Sequence, residues 1–191
     1  MPLKVISFLD DSVYILHALT SMKPRVIGYL DATSKVVRYP QAFTKYTVYF
    51  YALTVNINNR ILAISEFLSA IQTQTEVMNW LQVSRKAWLG VGTTWPLFSM
   101  IVVDWSYVLI NSVLFAFNNL TLKVYLRVSY SLVTKKIQSS DTKHLVHVHI
   151  CCAHFIKTIT KDVAAVVSNK KLRFSVNKIM STLITCTEYS I

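Results

Sequence analysis

Phe98-Ser-Met-Ile-Val-Val-Asp104-Trp-Ser106 is an apolar, β-branched run that ends on an acid, and Arg25-Val-Ile-Gly-Tyr-Leu-Asp31-Ala-Thr33 has the same pattern earlier in the chain. Both runs have the composition of buried strands. A carboxylate at the end of such a strand is costly to bury unless it meets a metal or a partner. Only nine of the 191 residues are Asp or Glu. Two of them in one local setting suggest the paired carboxylates of a two-metal phosphoryl-transfer site. Taken singly, either aspartate could equally cap a turn or the following helix.

Composition narrows the surroundings of that pair. The chain is long enough for one main domain with a real core. Hydrophobic residues make up 53% and charged residues 15%, which argues against disorder over most of the length. Three Gly and four Pro are too few for a small sandwich of many tight turns. The formal net charge of +11 points to an anionic partner, and nucleic acid fits paired aspartates best. Cys151, Cys152 and Cys186 form no disulfide framework, so a reducing compartment is expected. The first eleven residues lack the uninterrupted apolar core of a signal peptide.

Residues 1–24 read as a leading segment or the remnant of an upstream domain, with Val13, Leu16 and Leu19 at helical spacing and Lys23-Pro24 as a stop. Three strands then form an antiparallel meander: Val26 to Leu30, Val36 to Tyr39 after a turn at Ala32 to Lys35, and Tyr46 to Ile57. Asn56-Ile-Asn-Asn59 marks a turn. From Ser65, a plausible N-cap, the spacing of Phe67, Leu68, Ile71, Val77, Trp80 and Leu81 predicts a helix that stops at Gly90-Val-Gly92. Leu97 to Val103 reads as a buried strand. Helices follow from Ser106 to Phe117 and from Leu120 to Val133, and Lys135 to Lys143 reads as a loop. Leu145-Val-His-Val-His-Ile150 alternates as a strand, and helices His154 to Val167 and Leu172 to Thr187 finish the chain. That order is the order of an α/β, ribonuclease-H-like domain: a three-stranded antiparallel meander plus parallel strands, helices on both faces, and the first and fourth strands adjacent. It would occupy residues 25–191.

Two further features carry chemistry. Cys151-Cys-Ala-His154 places a thiol and an imidazole at i,i+3, the spacing that lets two side chains meet one metal or one hydrogen bond. No second C-x-x-C or H-x-x-x-H pair accompanies it, so a structural zinc site is not expected. Basic residues interleave with aromatics from Lys123 through Tyr125, Arg127 and Tyr130 to Lys136. They continue through Lys157, Lys161, Lys170, Lys171, Arg173 and Lys178, either as a phosphate-binding groove or as ordinary solvated faces. The sequence holds no P-loop, G-x-G-x-x-G or G-x-S-x-G.

With these residues in view, the chain resembles the transposases of cut-and-paste DNA transposons, the Mutator-like group in particular. Tyr29-Leu-Asp31-Ala-Thr33 is similar to the first catalytic block of that family. Ile101-Val-Val-Asp104-Trp-Ser-Tyr-Val-Leu-Ile-Asn111 followed by Phe117-Asn118 is similar to the second, and Ala63 through Leu81 to the helix between. Cys151-x-x-His154 matches the family's C-x-x-H. The resemblance covers about residues 25 to 165. It implies a ribonuclease-H-like fold, Mg²⁺ or Mn²⁺ on Asp31 and Asp104, DNA as partner and substrate, a nuclear location, and strand cleavage and joining. A homo-oligomer is compatible with it.

The chain departs from the family at the third acid, usually a Glu on a late helix. After Cys151 the acids are Asp162, close to the C-x-x-H, and Glu188, in the last four residues; Glu188 is the candidate. A Ser also stands at position 34, where a Gly commonly follows the block. A truncated or decayed copy with impaired catalysis is therefore expected. One alternative is a non-catalytic DNA-binding or partner-binding protein of the same ancestry. Another is a small membrane protein spanning at 95–117, a stretch whose only charge is Asp104, near its middle, where an acid costs about 2.5 to 3.5 kcal/mol.

Overall fold

The computed structural model describes residues 3–8, 10–22, 26–34, 47–93 and 96–185, with residues 183–185 described by backbone alone. The described chain forms two compact units, 1–149 and 150–191. The first contains β1 (Lys4–Ser7), α1 (Asp10–Met22), β2 (Ile27–Ser34), β3 (Tyr49–Ile57), β4 (Arg60–Ser69), α2 (Gln74–Gly90), β5 (Met100–Val103), α3 (Tyr107–Val113) and α4 (Leu122–Val133), and β6 (His147–Ile150) closes it. The strands make one open six-stranded sheet in the order β1-β4-β3-β2-β5-β6. β2, β3 and β4 are an antiparallel meander, and β5 joins β2 in parallel. The mixed α/β arrangement is compatible with a ribonuclease-H-like domain.

Several strands differ from their expected positions. The meander's third strand is Arg60–Ser69, whose second half, from Ser65, the spacing assigns to a helix. Asn58 and Asn59 take φ of 50° and 64°, the left-handed conformation of a two-residue hairpin turn, so β4 starts at once. A bulge then shifts the register between Leu53 and Thr54, pairing them with Ser65 and Ala63. The extra residue, Ile64, is buried beside buried Ser65. Two consecutive buried positions break the period of two and imitate a helix. α2 begins eight residues later than expected, at Gln74, with Thr73 rather than Ser65 as N-cap. The turn expected at Ala32 to Lys35 lies inside β2 as far as Ser34, and the expected strand Val36 to Tyr39 lies outside the described residues. β1 was not expected; it pairs antiparallel with β4, and Ser12 of α1 donates to the Ala63 carbonyl.

The core lies under one face of the sheet. Gly28, Leu30, Tyr51, Leu53, Val55, Phe67, Ile101 and Val103 are buried there. α2 covers them with Val77, Trp80, Leu81 and Trp88. The Phe67 ring stacks on those of Tyr51 and Trp80, both with centroids 5.6 Å apart, and the Tyr51 and Trp80 rings meet at a tilt, 6.1 Å apart. Trp80 donates its indole N–H to Ser65 Oγ at 2.7 Å, and Ser65 shares a 2.7 Å bond with Ser84, so the Ser65 expected at a helix cap is instead a satisfied core hydroxyl. Gly28 has a packing reason: a Cβ there would come within 3.3 to 3.4 Å of Phe98, Ile101 and Leu53.

After β5 the chain turns at Asp104 into α3, extended by a π-helical turn, Leu114–Asn118, that ends on left-handed Asn119. Residues 96–117 are thus a strand and a helix rather than the single helix of the membrane alternative. Among the described residues no single helix is long and apolar enough to cross a membrane. Asn118 pins the start of β6, donating to the Val146 carbonyl and accepting from its N–H, both at 2.8 Å. The second unit is the paired helices α5 (Cys152–Val166) and α6 (Lys170–Thr185), with Asn169 Oδ1 accepting from the N–H groups of Lys171 and Leu172.

Tyr51 makes a testable statement about the core. Its hydroxyl is buried without a hydrogen-bond partner among the described residues. Burial, with a smaller contribution from Tyr49, pushes its pKa up to about 12 from 10.0. The fold favours the neutral phenol, so this contribution is complete below pH 10 and is lost between about pH 10 and pH 12, where the unfolded chain ionises first. Tyr51→Phe is expected to raise stability at pH 7 by about 1 kcal/mol and to flatten that alkaline decline, both read by denaturant unfolding.

Candidate metal centre

The parallel pairing of β2 with β5 ends at Leu30 opposite Val103. The next residue of each chain is an acid, Asp31 and Asp104. Because parallel strands advance together, the two side chains leave the register side by side, and carboxylate oxygens of Asp31 and Asp104 lie within 4.8 Å of each other. Asp31 is not at a strand end. It sits inside β2, paired with Ala52 of β3 on one side, and is the first residue past the end of β5 on the other. That gap in the sheet is where Asp104 turns.

Neither aspartate is fully buried, unlike the strand-end acids the sequence predicts. Along β2, Gly28 and Leu30 are buried while Ile27, Tyr29 and Asp31 are exposed; Asp104 is half-buried. The carboxylates therefore stand on the accessible side of the sheet. Their own backbone orients them: Asp31 Oδ1 accepts from the Ala32 N–H at 2.8 Å, and Asp104 Oδ1 from the Trp105 N–H at 2.5 Å. The Asp104 carbonyl also accepts from the Ser106 N–H at 2.7 Å. Ser106 is the N-cap of α3 by position, but its hydroxyl makes no capping bond.

Two carboxylates supply hard oxygen donors and a double negative charge, the donor set that suits Mg²⁺ or Mn²⁺ rather than a soft metal. Within the first unit no third carboxylate joins them among the described residues. Glu66 lies on the same cross-strand row, since Asp31 faces Ala52 and Ala52 faces Glu66. It stands two strands away, about 10 Å. The sequence reading missed this placement because it assigned Glu66 to a helix. It also passed over the exposed rings beside the acids: Tyr29 two residues before Asp31, Trp105 and Tyr107 just after Asp104, with exposures of 40%, 45% and 68%.

Cys151 is the N-cap of α5 in the second unit, and His154 lies in that helix's first turn; both are half-buried, and the Cys151 and Cys152 thiols are free. Asp162 is exposed on α5. Glu188 lies outside the described residues. Of the basic residues, Lys123 and Arg127 are exposed on α4, and Lys157, Lys161, Lys170, Lys171 and Lys178 are exposed in the second unit.

Repulsion between the two carboxylates gives a measurable consequence. Asp104→Asn, which retains an oxygen for the Trp105 N–H, is expected to raise the metal-free melting temperature by roughly 2 to 4 °C, the shift of about 1 kcal/mol in a chain of this size. Millimolar Mn²⁺ should raise the melting temperature of the wild-type chain and leave that of the variant unchanged in a thermal scan. No family model matches this chain, and neither a curated protein nor a solved structure matches it.

Proposed function

We propose that this chain is a transposase-derived DNA-binding protein whose Asp31 and Asp104 hold Mg²⁺ or Mn²⁺ in a site for phosphodiester cleavage and strand transfer, with catalysis impaired because no third first-unit carboxylate joins the pair among the described residues. The observation that supports this most is the juxtaposition of two carboxylates, from residues 31 and 104, within 4.8 Å at the end of a parallel strand pair. Divalent ions bound there would neutralise a phosphate and activate an attacking oxygen. The protein's part is to hold both carboxylates on backbone N–H groups and to anchor them on a rigid sheet, so that little reorganisation precedes reaction. The surplus of Lys and Arg over Asp and Glu, 20 to 9, would draw a polyanion to the chain. The exposed rings of Tyr29, Trp105 and Tyr107 suit contacts with bases. A nuclear location accompanies this reading.

A second reading, a DNA-binding protein without cleavage, is favoured by the absence of a third first-unit carboxylate beside the pair among the described residues. Both readings expect DNA affinity that falls steeply with salt, the logarithm of the binding constant declining linearly with the logarithm of salt concentration. They divide on Mn²⁺-dependent nicking of supercoiled plasmid. Under the catalytic reading the wild-type chain nicks and Asp104→Ala lowers the rate at least about a hundredfold, the scale of losing a principal electrostatic contact. Nicking that survives intact in Asp104→Ala rejects the metal assignment. A wild-type chain that binds DNA but never nicks leaves the second reading.

A further inference from the structure

The exposed side of β2 carries more than its acid. Ile27 and Tyr29, which alternate with buried Gly28 and Leu30, line a cleft of about 300 Å³ together with Leu19 from α1. Its polar wall is the hairpin between β3 and β4: Asn56, Asn58 and Asn59. Among the described residues, none of these three amides and not the Tyr29 hydroxyl makes a hydrogen bond within the protein. No charged side chain lines the cleft among the described residues, so a phosphate, a carboxylate or a metal ion finds no counter-charge there.

What such a cleft fits is a flat, uncharged ring with donors and acceptors on its rim. Each amide offers both an acceptor oxygen and two N–H donors. The aliphatic groups and the phenol ring offer the faces a planar heterocycle needs. The volume stands at the lower end for small-molecule sites, suited to one base rather than a whole cofactor. Tyr29 lies about 7 Å along the strand from Asp31, within the reach of a single nucleotide whose phosphate sits at the carboxylates. A base inside a duplex hides both faces in the stack and its pairing edge in the partner, so only an unpaired base can enter.

Resting on the DNA reading given above, we propose that this cleft receives one unpaired nucleobase of the strand held at Asp31 and Asp104, with adenine preferred. Adenine is favoured because it offers a side-chain amide a matching donor and acceptor on two edges, N6 with N7 and N6 with N1, whereas cytosine and thymine offer one. The hairpin's backbone explains how the amides are presented: Asn58 and Asn59 both sit at positive φ, a conformation that asparagine tolerates better than most residues.

The turn geometry also supplies the test. Glycine adopts both positive φ values without strain, so the double variant Asn58→Gly/Asn59→Gly removes two amides and keeps the hairpin. Fluorescence anisotropy with the full chain would compare labelled single-stranded oligo(dA), oligo(dC) and oligo(dT) with an oligo(dA)·oligo(dT) duplex. The wild-type chain is expected to bind oligo(dA) about tenfold more tightly than oligo(dC), the scale of one bidentate contact. The double variant should bring the two within about twofold, with its melting temperature unchanged. Asn56→Thr, which suits a strand, should reduce the preference without touching the turn. Equal wild-type affinities, a preference that survives the double variant, or duplex bound as well as oligo(dA) would overturn the proposal. Nicking distinguishes the two levels: metal-dependent nicking without base preference rejects the cleft alone. An adenine preference lost in the double variant, with nicking untouched in Asp104→Ala, rejects the metal assignment alone.

Discussion

The arrangement depends on the parallel register of β2 against β5. Because Leu30 faces Val103 as the last pair, the two acids that follow are neighbours without any side-chain contact having to bring them together. Antiparallel pairing would have carried them to opposite ends of the strands. The register is held from beneath and from its start. Phe98, Ile101 and Leu53 close over the missing side chain of Gly28, and Ser99 gives both its N–H and its hydroxyl to the Val26 carbonyl. A one-residue slip would turn Ile101 and Val103 out of the core, so the same burial that stabilises the sheet fixes the distance between the carboxylates.

Much of this was legible from the chain, and the parts that were not have local causes. The run into Asp104 and the helix after Ser106 could be read because apolar continuity and a cap signal agree there. The meander was expected, but not its third strand. Ile64 and Ser65 are buried side by side at a bulge, which erases the alternation on which a strand reading relies. Asn58-Asn59 was seen as a turn, but a turn alone does not say whether a strand or a helix follows. Asp31 was placed at a strand end because Ala-Thr-Ser looks like a turn, whereas β2 continues on β3 after β5 has stopped. β1 is four residues long and wholly exposed, too short and too open to leave a periodic signal. The spacing between Asp31 and Asp104 was beyond any reading of periodicity, because it follows from pairing between segments far apart in sequence.

The physical ground for singling out the two aspartates also changes. A buried charge is costly, yet Asp31 is exposed and Asp104 only half-buried. What distinguishes the pair is proximity of like charges on an accessible face, which in water is mildly unfavourable rather than prohibitive. Such a pair costs little to maintain without a cation. A polymer lying across a sheet needs this openness, whereas a small substrate is usually enclosed. The choice of face therefore bears on the class of substrate before any residue is assigned a chemical role.

The period of two along β2 divides the labour of a single strand. Gly28 and Leu30 point into the packed core with the Tyr51, Phe67 and Trp80 rings nearby, where a change of one methylene is felt. Ile27, Tyr29 and Asp31 point the other way, into the cleft and the carboxylate pair. Substitutions at 28 and 30 should act first on stability, and those at 29 and 31 on what the surface can hold. The bulge at Ile64 belongs to the same division. Bulges increase local twist and re-aim the strand that carries them, and here one lies between the hairpin that presents Asn58 and Asn59 and the row of the sheet that contains Glu66, Ala52 and Asp31. The irregularity that hid β4 from the sequence reading is thus a means by which one regular sheet can present two differently shaped features, an amide-lined cleft and a pair of acids, along the same exposed face.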